Sequence, residues 1–188
     1  MTWSTGKSTV TGTQTAGRCA DPGSMLRRAG GTRRTTGGAG AIALNATGGS
    51  SSSCYGPGAA LLMGVSTLGS SASTGYTNPV YISTASGNIT ITATTSASGS
   101  GNATYGISTA SALSKIYSAS GNISLVATGV TKSIQMPAGS QIGYNTGSGT
   151  SGNVTLQMDT WSGFSASVKA SGDLNLRPDS VNASISLG

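Results

Sequence analysis

The 188-residue chain has no histidine and no glutamate, and its carboxylate side chains are four: Asp21, Asp159, Asp173 and Asp179. Those absences remove histidine-based triads, most zinc sites and the commonest general bases. No catalytic, cofactor-binding or metal-ligating residue is therefore assigned, and the chain is not expected to be an enzyme. Charged residues make up 7% of the chain, aromatics 5%, and there is a single Phe, so apolar burial has to come from short rows of Ile, Val and Leu. The longest apolar stretch, Ala59 to Met63, is far too short to cross a bilayer. The N-terminus, Met1 to Lys7, lacks a charged start followed by an apolar run, so no secretory signal is expected. Cys19 and Cys54 are too few for a disulfide framework, and their pairing stays open.

What is there is a repeated corner. Ser120-Gly121-Asn122-Ile123-Ser124-Leu125 recurs as Ser86-Gly87-Asn88-Ile89-Thr90-Ile91 and Ser151-Gly152-Asn153-Val154-Thr155-Leu156, and with Asp as Ser171-Gly172-Asp173-Leu174-Asn175-Leu176. Gly accepts the positive φ of a sharp corner, and Asn or Asp tolerates it next best; Gly87, Gly121, Gly152 and Gly172 are expected to adopt it. After each corner the side-chain period is two, the pattern of a half-buried strand. Ile89, Ile91, Ile123, Leu125, Val154, Leu156, Leu174 and Leu176 are expected inside, with Thr90, Ser124, Thr155 and Asn175 facing outward or toward a partner chain.

More than half of the residues are Gly, Ala, Ser or Thr, a composition that favours strands over helices. The fold class expected is all-β: a parallel β-helix-like stack or an intertwined trimeric β-fibre of short strands, with an extended N-terminal arm. Residues 1–40 read as that arm, because Lys7, Arg18, Arg27, Arg28, Arg33 and Arg34 against Asp21 give them +5 of the total +6 and no periodic apolar pattern is visible. Residues 41–78 read as an irregular Gly/Ser-rich connection with one or two strands, and 79–188 as the repetitive β-structured body. A fixed repeat period is missing. A level with three or four Ile or Leu side chains gains roughly 1.5–3 kcal/mol for each one buried, while each fixed backbone residue costs roughly 1–2 kcal/mol, so the levels must stack on one another or share a core with identical chains.

Several motifs divide between a functional and a plain reading. Gly6-Lys7-Ser8-Thr9 looks like the end of a phosphate-binding loop, but the Gly that should stand five positions earlier is Met1. Arg27, Arg28, Arg33 and Arg34 suit an acidic partner through bidentate guanidinium bonds; with no aromatics between them, docking on a neighbouring protein is favoured over a nucleic-acid site. Asn45, Asn88, Asn102, Asn122, Asn153 and Asn182 fit the N-glycosylation pattern, yet the corner grammar produces it unaided, and stacking or capping is the preferred role for Asn88, Asn122, Asn153 and Asp173. A paired-Asp glycosidase among Asp159, Asp173 and Asp179 lacks a recognisable context. Trp161 and Phe164, the aromatic cluster of the body, are either a plug at a turn or a carbohydrate-stacking patch.

Through Ala170 to Pro178 and the earlier Ser-Gly-Asn copies, residues 79–188 resemble the shaft segments of bacteriophage tail fibres and tail spikes. The resemblance implies a trimeric virion structural protein. Its residues 1–40 would attach to other virion proteins, and its β-rich body would project and contact a host-surface glycan; no membrane insertion is implied. Ala119 to Leu125 also look like repeats of filamentous-haemagglutinin-type adhesins, monomeric β-helices, which implies a secreted or cell-surface alternative. A β-helical polysaccharide-degrading enzyme is the third reading, and it needs a carboxylate cluster that the sequence does not show.

Overall fold

The computed structural model describes residues 8–13, 33–37, 40–47, 61–63, 80–95, 106–109, 113–129, 134–143, 150, 152–161 and 164–182. Among these residues there is no helix. The strands, in chain order, are β1 (Ser8–Thr13), β2 (Arg33–Gly37), β3 (Ile42–Thr47), β4 (Leu61–Met63), β5 (Val80–Thr84), β6 (Ile89–Thr95) and β7 (Ile107–Thr109), followed by β8 (Lys115–Ser118), β9 (Ile123–Gly129), β10 (Ile134–Gln135), β11 (Gln141–Ile142), β12 (Val154–Gln157), β13 (Ser167–Val168) and β14 (Leu174–Arg177). They form three sheets, ordered β1-β3-β6-β9-β12-β14, β2-β5-β8-β11-β13 and β4-β7-β10. Every strand pairing is parallel. From β6 to β11 the chain visits the three sheets in strict rotation, so each return lays a strand beside the one left a level before.

Register turns the repeat into columns. Ile42, Ile89, Ile123, Val154 and Leu174 stand in one column of the first sheet, and Leu44, Ile91, Leu125, Leu156 and Leu176 in the next. Between the levels the chain separation of equivalent Asn or Asp residues falls from 34 to 31 to 20. The register survives because loop closure is cheap: doubling a loop costs only about 0.6 kcal/mol, and the extra residues lie in the connections, outside the strands.

The inward column positions make the core. Ile89, Ile91, Ile123, Leu125, Val154 and Leu156 are buried and meet Val80, Ile82, Ile116 and Ile142 from the second sheet and Ile107 and Ile134 from the third. Thr90, Ser124 and Thr155, between them, are half-buried. The expected alternation therefore holds in three of the four copies and fails in β14, where Leu174 is 49% exposed and Leu176 half-buried. β14 is the last strand of its sheet among the described residues, and none of them adds a further level over its side chains.

The corner glycines require a correction. The glycines with positive φ among the described residues are Gly129, Gly139 and Gly143; Gly87, Gly121, Gly152 and Gly172 are not among them. Close approach fixes the four instead. A Cβ on Gly87 would strike the carbonyl of Gly40, on Gly121 that of Gly87, and on Gly152 that of Gly121, while on Gly172 it would strike the side chain of Asn153. The corner backbones stack so tightly that any side chain would push neighbouring levels away from each other.

Buried hydroxyls tie these corners together. Thr84 Oγ1 accepts from Gly87 N–H (3.0 Å) and donates to Gly40 O (3.1 Å), and Ser118 Oγ accepts from Gly121 N–H (2.8 Å) and donates to Gly87 O (2.9 Å). Thr150 continues the row, its hydroxyl bonding to the carbonyls of Ser118 and Gly121. The Thr84 and Ser118 hydroxyls thus each satisfy a donor of their own level and an acceptor of the level before, which is what burying these polar groups demands.

β1 and β2 fall within residues 1–40, the stretch read from sequence as an arm, and they pair with β3 and β5. The rest of that stretch before Gly40, with Arg27, Arg28 and Cys19, lies outside the described residues, as do Cys54, Asn102 and the end of the body, 183–188.

Candidate functional site

The side chains that carry the corners outward form a ladder. Asn122 N–H donates to Asn88 Oδ1 (2.9 Å), Asn153 N–H to Asn122 Oδ1 (2.8 Å) and Asp173 N–H to Asn153 Oδ1 (2.8 Å). The stacking role expected of these residues is the one they have. A short side chain just before each strand places an amide oxygen one strand spacing away, where the next level presents an N–H. Asp173 ends the ladder on the exposed surface.

A second carboxylate pair repeats the arrangement at the far end of β12 and β14. Asp159 Oδ1 accepts from the N–H groups of Asp179 (2.7 Å) and Ser180 (2.8 Å), its Oδ2 accepts from Ser180 Oγ (2.5 Å), and Gln157 Nε2 donates to Asp179 Oδ1 (2.8 Å). Asp159 and Asp179 are thereby occupied in joining two levels. Among the described residues no group of three or more His, Cys, Asp or Glu stands together as a metal would need.

The structure brings Trp161 and Phe164 together, ring centroids 5.6 Å apart at 82°, an edge-to-face pair. Both rings pack against the core cluster and are half-buried, and Trp161 Nε1 is buried with no hydrogen-bond partner among the described residues. Phe164 bridges in parallel to Met136, so the pair continues the wall that the third sheet builds. Arg33 and Arg34 lie on β2, at the edge of the second sheet.

Sequence reasoning passed over one outward row. Tyr81 pairs in register with Lys115, Ser83 with Tyr117, and Lys115 with Gln141, so two phenol rings and an ammonium share the outer face of the second sheet, all half-buried. The signal was present in the alternation of Val80-Tyr81-Ile82-Ser83 and Lys115-Ile116-Tyr117-Ser118. The register between the two strands was not. Rings beside a cation on a flat sheet offer stacking and hydrogen bonding to a sugar.

No family model, curated protein or solved structure matches the chain.

Proposed function

We propose that the chain is a single-chain parallel β-helix serving as a structural shaft of a phage virion, of the fibre, spike or decoration type. The observation that carries the reading is the closed core: Ile89, Ile91, Ile107, Ile116, Ile123, Ile134 and Ile142 are each fully buried within one chain. A core of that kind makes a rod that keeps its shape without a cofactor and leaves the outer faces for contact. Three such rods pack side by side as a trimer. Arg27, Arg28, Arg33 and Arg34 dock the N-terminal forty residues on an acidic surface of another virion protein, while the row Tyr81, Lys115 and Tyr117 and the pair Trp161 and Phe164 meet host-surface glycan.

The same closed core favours a second reading, a fragment of a secreted β-helical adhesin, because such a rod does not need a partner chain to fold. Immunogold labelling with an antibody to the chain separates the two. Label on purified phage particles, lost when the four arginines are changed to glutamate, supports the virion shaft. Label confined to cell surfaces overturns it and supports the adhesin.

A further inference from the structure

The outer face of the second sheet extends past Tyr81, Lys115 and Tyr117. Register carries the row of Tyr81 and Lys115 on to Gln141 and Ser167, across β5, β8, β11 and β13. One ladder step further, Gly143 N–H donates to Ile116 O (2.8 Å) and Lys169 N–H to Ile142 O (2.9 Å), which sets Lys169 level with Gly143 and Tyr117 in the next outward row. Val168 packs against the core cluster, so its neighbours Ser167 and Lys169 face outward, and both are exposed. Tyr81, Lys115, Tyr117 and Gln141 are half-buried, because neighbours one strand spacing apart cover each other's flanks.

This face is positive. Asp159, Asp173 and Asp179 all flank β12 and β14 of the first sheet, so among the described residues no carboxylate stands on the outer face of the second sheet, while Lys115 and Lys169 both do. From Lys115 to Lys169 is two strands across and two residues along, roughly 12 Å between Cα atoms at a strand spacing of about 4.8 Å and a rise of about 3.3 Å. Gly143 lies between Tyr117 and Lys169 and adds no side chain.

We infer that this face binds a linear acidic glycan, one bearing carboxylate groups on its sugar rings, with Lys115 and Lys169 each taking a carboxylate. An ammonium gains a charge-assisted hydrogen bond from a carboxylate and gains less from a neutral hydroxyl. The phenol rings of Tyr81 and Tyr117 offer stacking to the apolar faces of the sugar rings, and the Gln141 amide and the Ser167 hydroxyl both donate and accept, as sugar hydroxyls require. A nucleic acid fits less well. Its backbone carries a charge at every nucleotide and its affinity grows with the number of phosphates neutralised, for which two ammonium groups among uncharged side chains are few. The inference rests on the reading of this row as a glycan contact and adds the class of glycan.

The test is calorimetric titration of the full chain with oligomers of mannuronic, galacturonic and sialic acid, with the same oligomers after reduction of their carboxyl groups to alcohols, and with single-stranded DNA of comparable charge. Circular dichroism confirms the fold of each variant. At least one acidic oligomer is expected to bind, roughly tenfold or more tighter than its reduced form, with an affinity that falls as salt rises. Lys115→Gln and Lys169→Gln each weaken binding of the acidic oligomer several-fold and leave that of the reduced form unchanged, whereas Tyr117→Ala weakens both forms alike. Reduced oligomers that bind as well as acidic ones, or lysine variants that bind like wild type, overturn the inference and leave the glycan contact standing. Binding of neither form overturns both. DNA bound as tightly as the acidic oligomer overturns the inference in favour of a general polyanion surface.

Discussion

At the scale of single residues the fold depends on positions where nothing larger fits. Gly121→Ala places a methyl group against the carbonyl of Gly87 and the hydroxyl of Ser118, so the corner must open. It is expected to cost about 1–3 kcal/mol or more, the range for overpacking, whereas Ser120→Ala, on the exposed neighbour, stays within about 0.5 kcal/mol. Urea unfolding followed by circular dichroism measures both, and equal midpoints for the two variants would remove the stacking account of the corner. Asn122→Ala deletes the acceptor of Asn153 N–H and is expected to cost about 1 kcal/mol; Asn122→Asp keeps an acceptor, as Asp173 does in its own copy, and loses less. The importance of these glycines was legible in the sequence. The reason was not, because positive φ and close approach ask for the same residue, and a carbonyl contributed from a distant corner leaves no local mark. Asn and Asp at the following position were readable as backbone partners, since short amide and carboxylate side chains suit nothing else so well at a corner.

At the scale of the strand, identical grammar gives different energetics according to the level at which it sits. Ile123, the register equivalent of Leu174 two levels before it, and Leu125, two residues further along β9, are fully buried, yet Leu174 is 49% exposed in β14. Leu125→Ala is expected to cost about 2–5 kcal/mol, the range for a buried large-to-small change, and Leu174→Ala under about 1 kcal/mol. Thermal unfolding of the two variants checks this, and comparable losses would mean that β14 is covered in solution. The alternation of β5, β6, β8, β9 and β12 was readable from Ile, Val and Leu at every second position. β1 and β2 were not readable, because Thr9, Thr11, Thr13, Thr35 and Thr36 give no apolar period; those strands are recognised only through their pairing with β3 and β5. The outward row of Tyr81, Lys115 and Tyr117 escaped for a related reason: alternation says which way each side chain points, and only register says which ones meet.

At the scale of the whole molecule, the central claim is that successive copies of one repeat lie beside each other in parallel register inside a single chain. Irregular spacing in the sequence left open whether the levels stack within a chain or are contributed by several, and burial of the Ile columns in one chain is what supports the first. The most direct measurement is disulfide trapping in a chain whose Cys19 and Cys54 are replaced by Ser. Thr90 and Ser124 are register partners on the half-buried outer face of β6 and β9. Their Cα atoms are expected about 4.8 Å apart, inside the range of roughly 4.4–6.8 Å that a disulfide spans, whereas Thr90 and Thr128 are offset by four residues along the strand, about 13 Å. Under mild oxidation Thr90→Cys with Ser124→Cys is predicted to form a link within one chain, migrating as a monomer without reductant, and Thr90→Cys with Thr128→Cys is predicted to form none. A Thr90–Ser124 variant pair that links only between chains, or a Thr90–Thr128 variant pair that links equally well, would contradict the account.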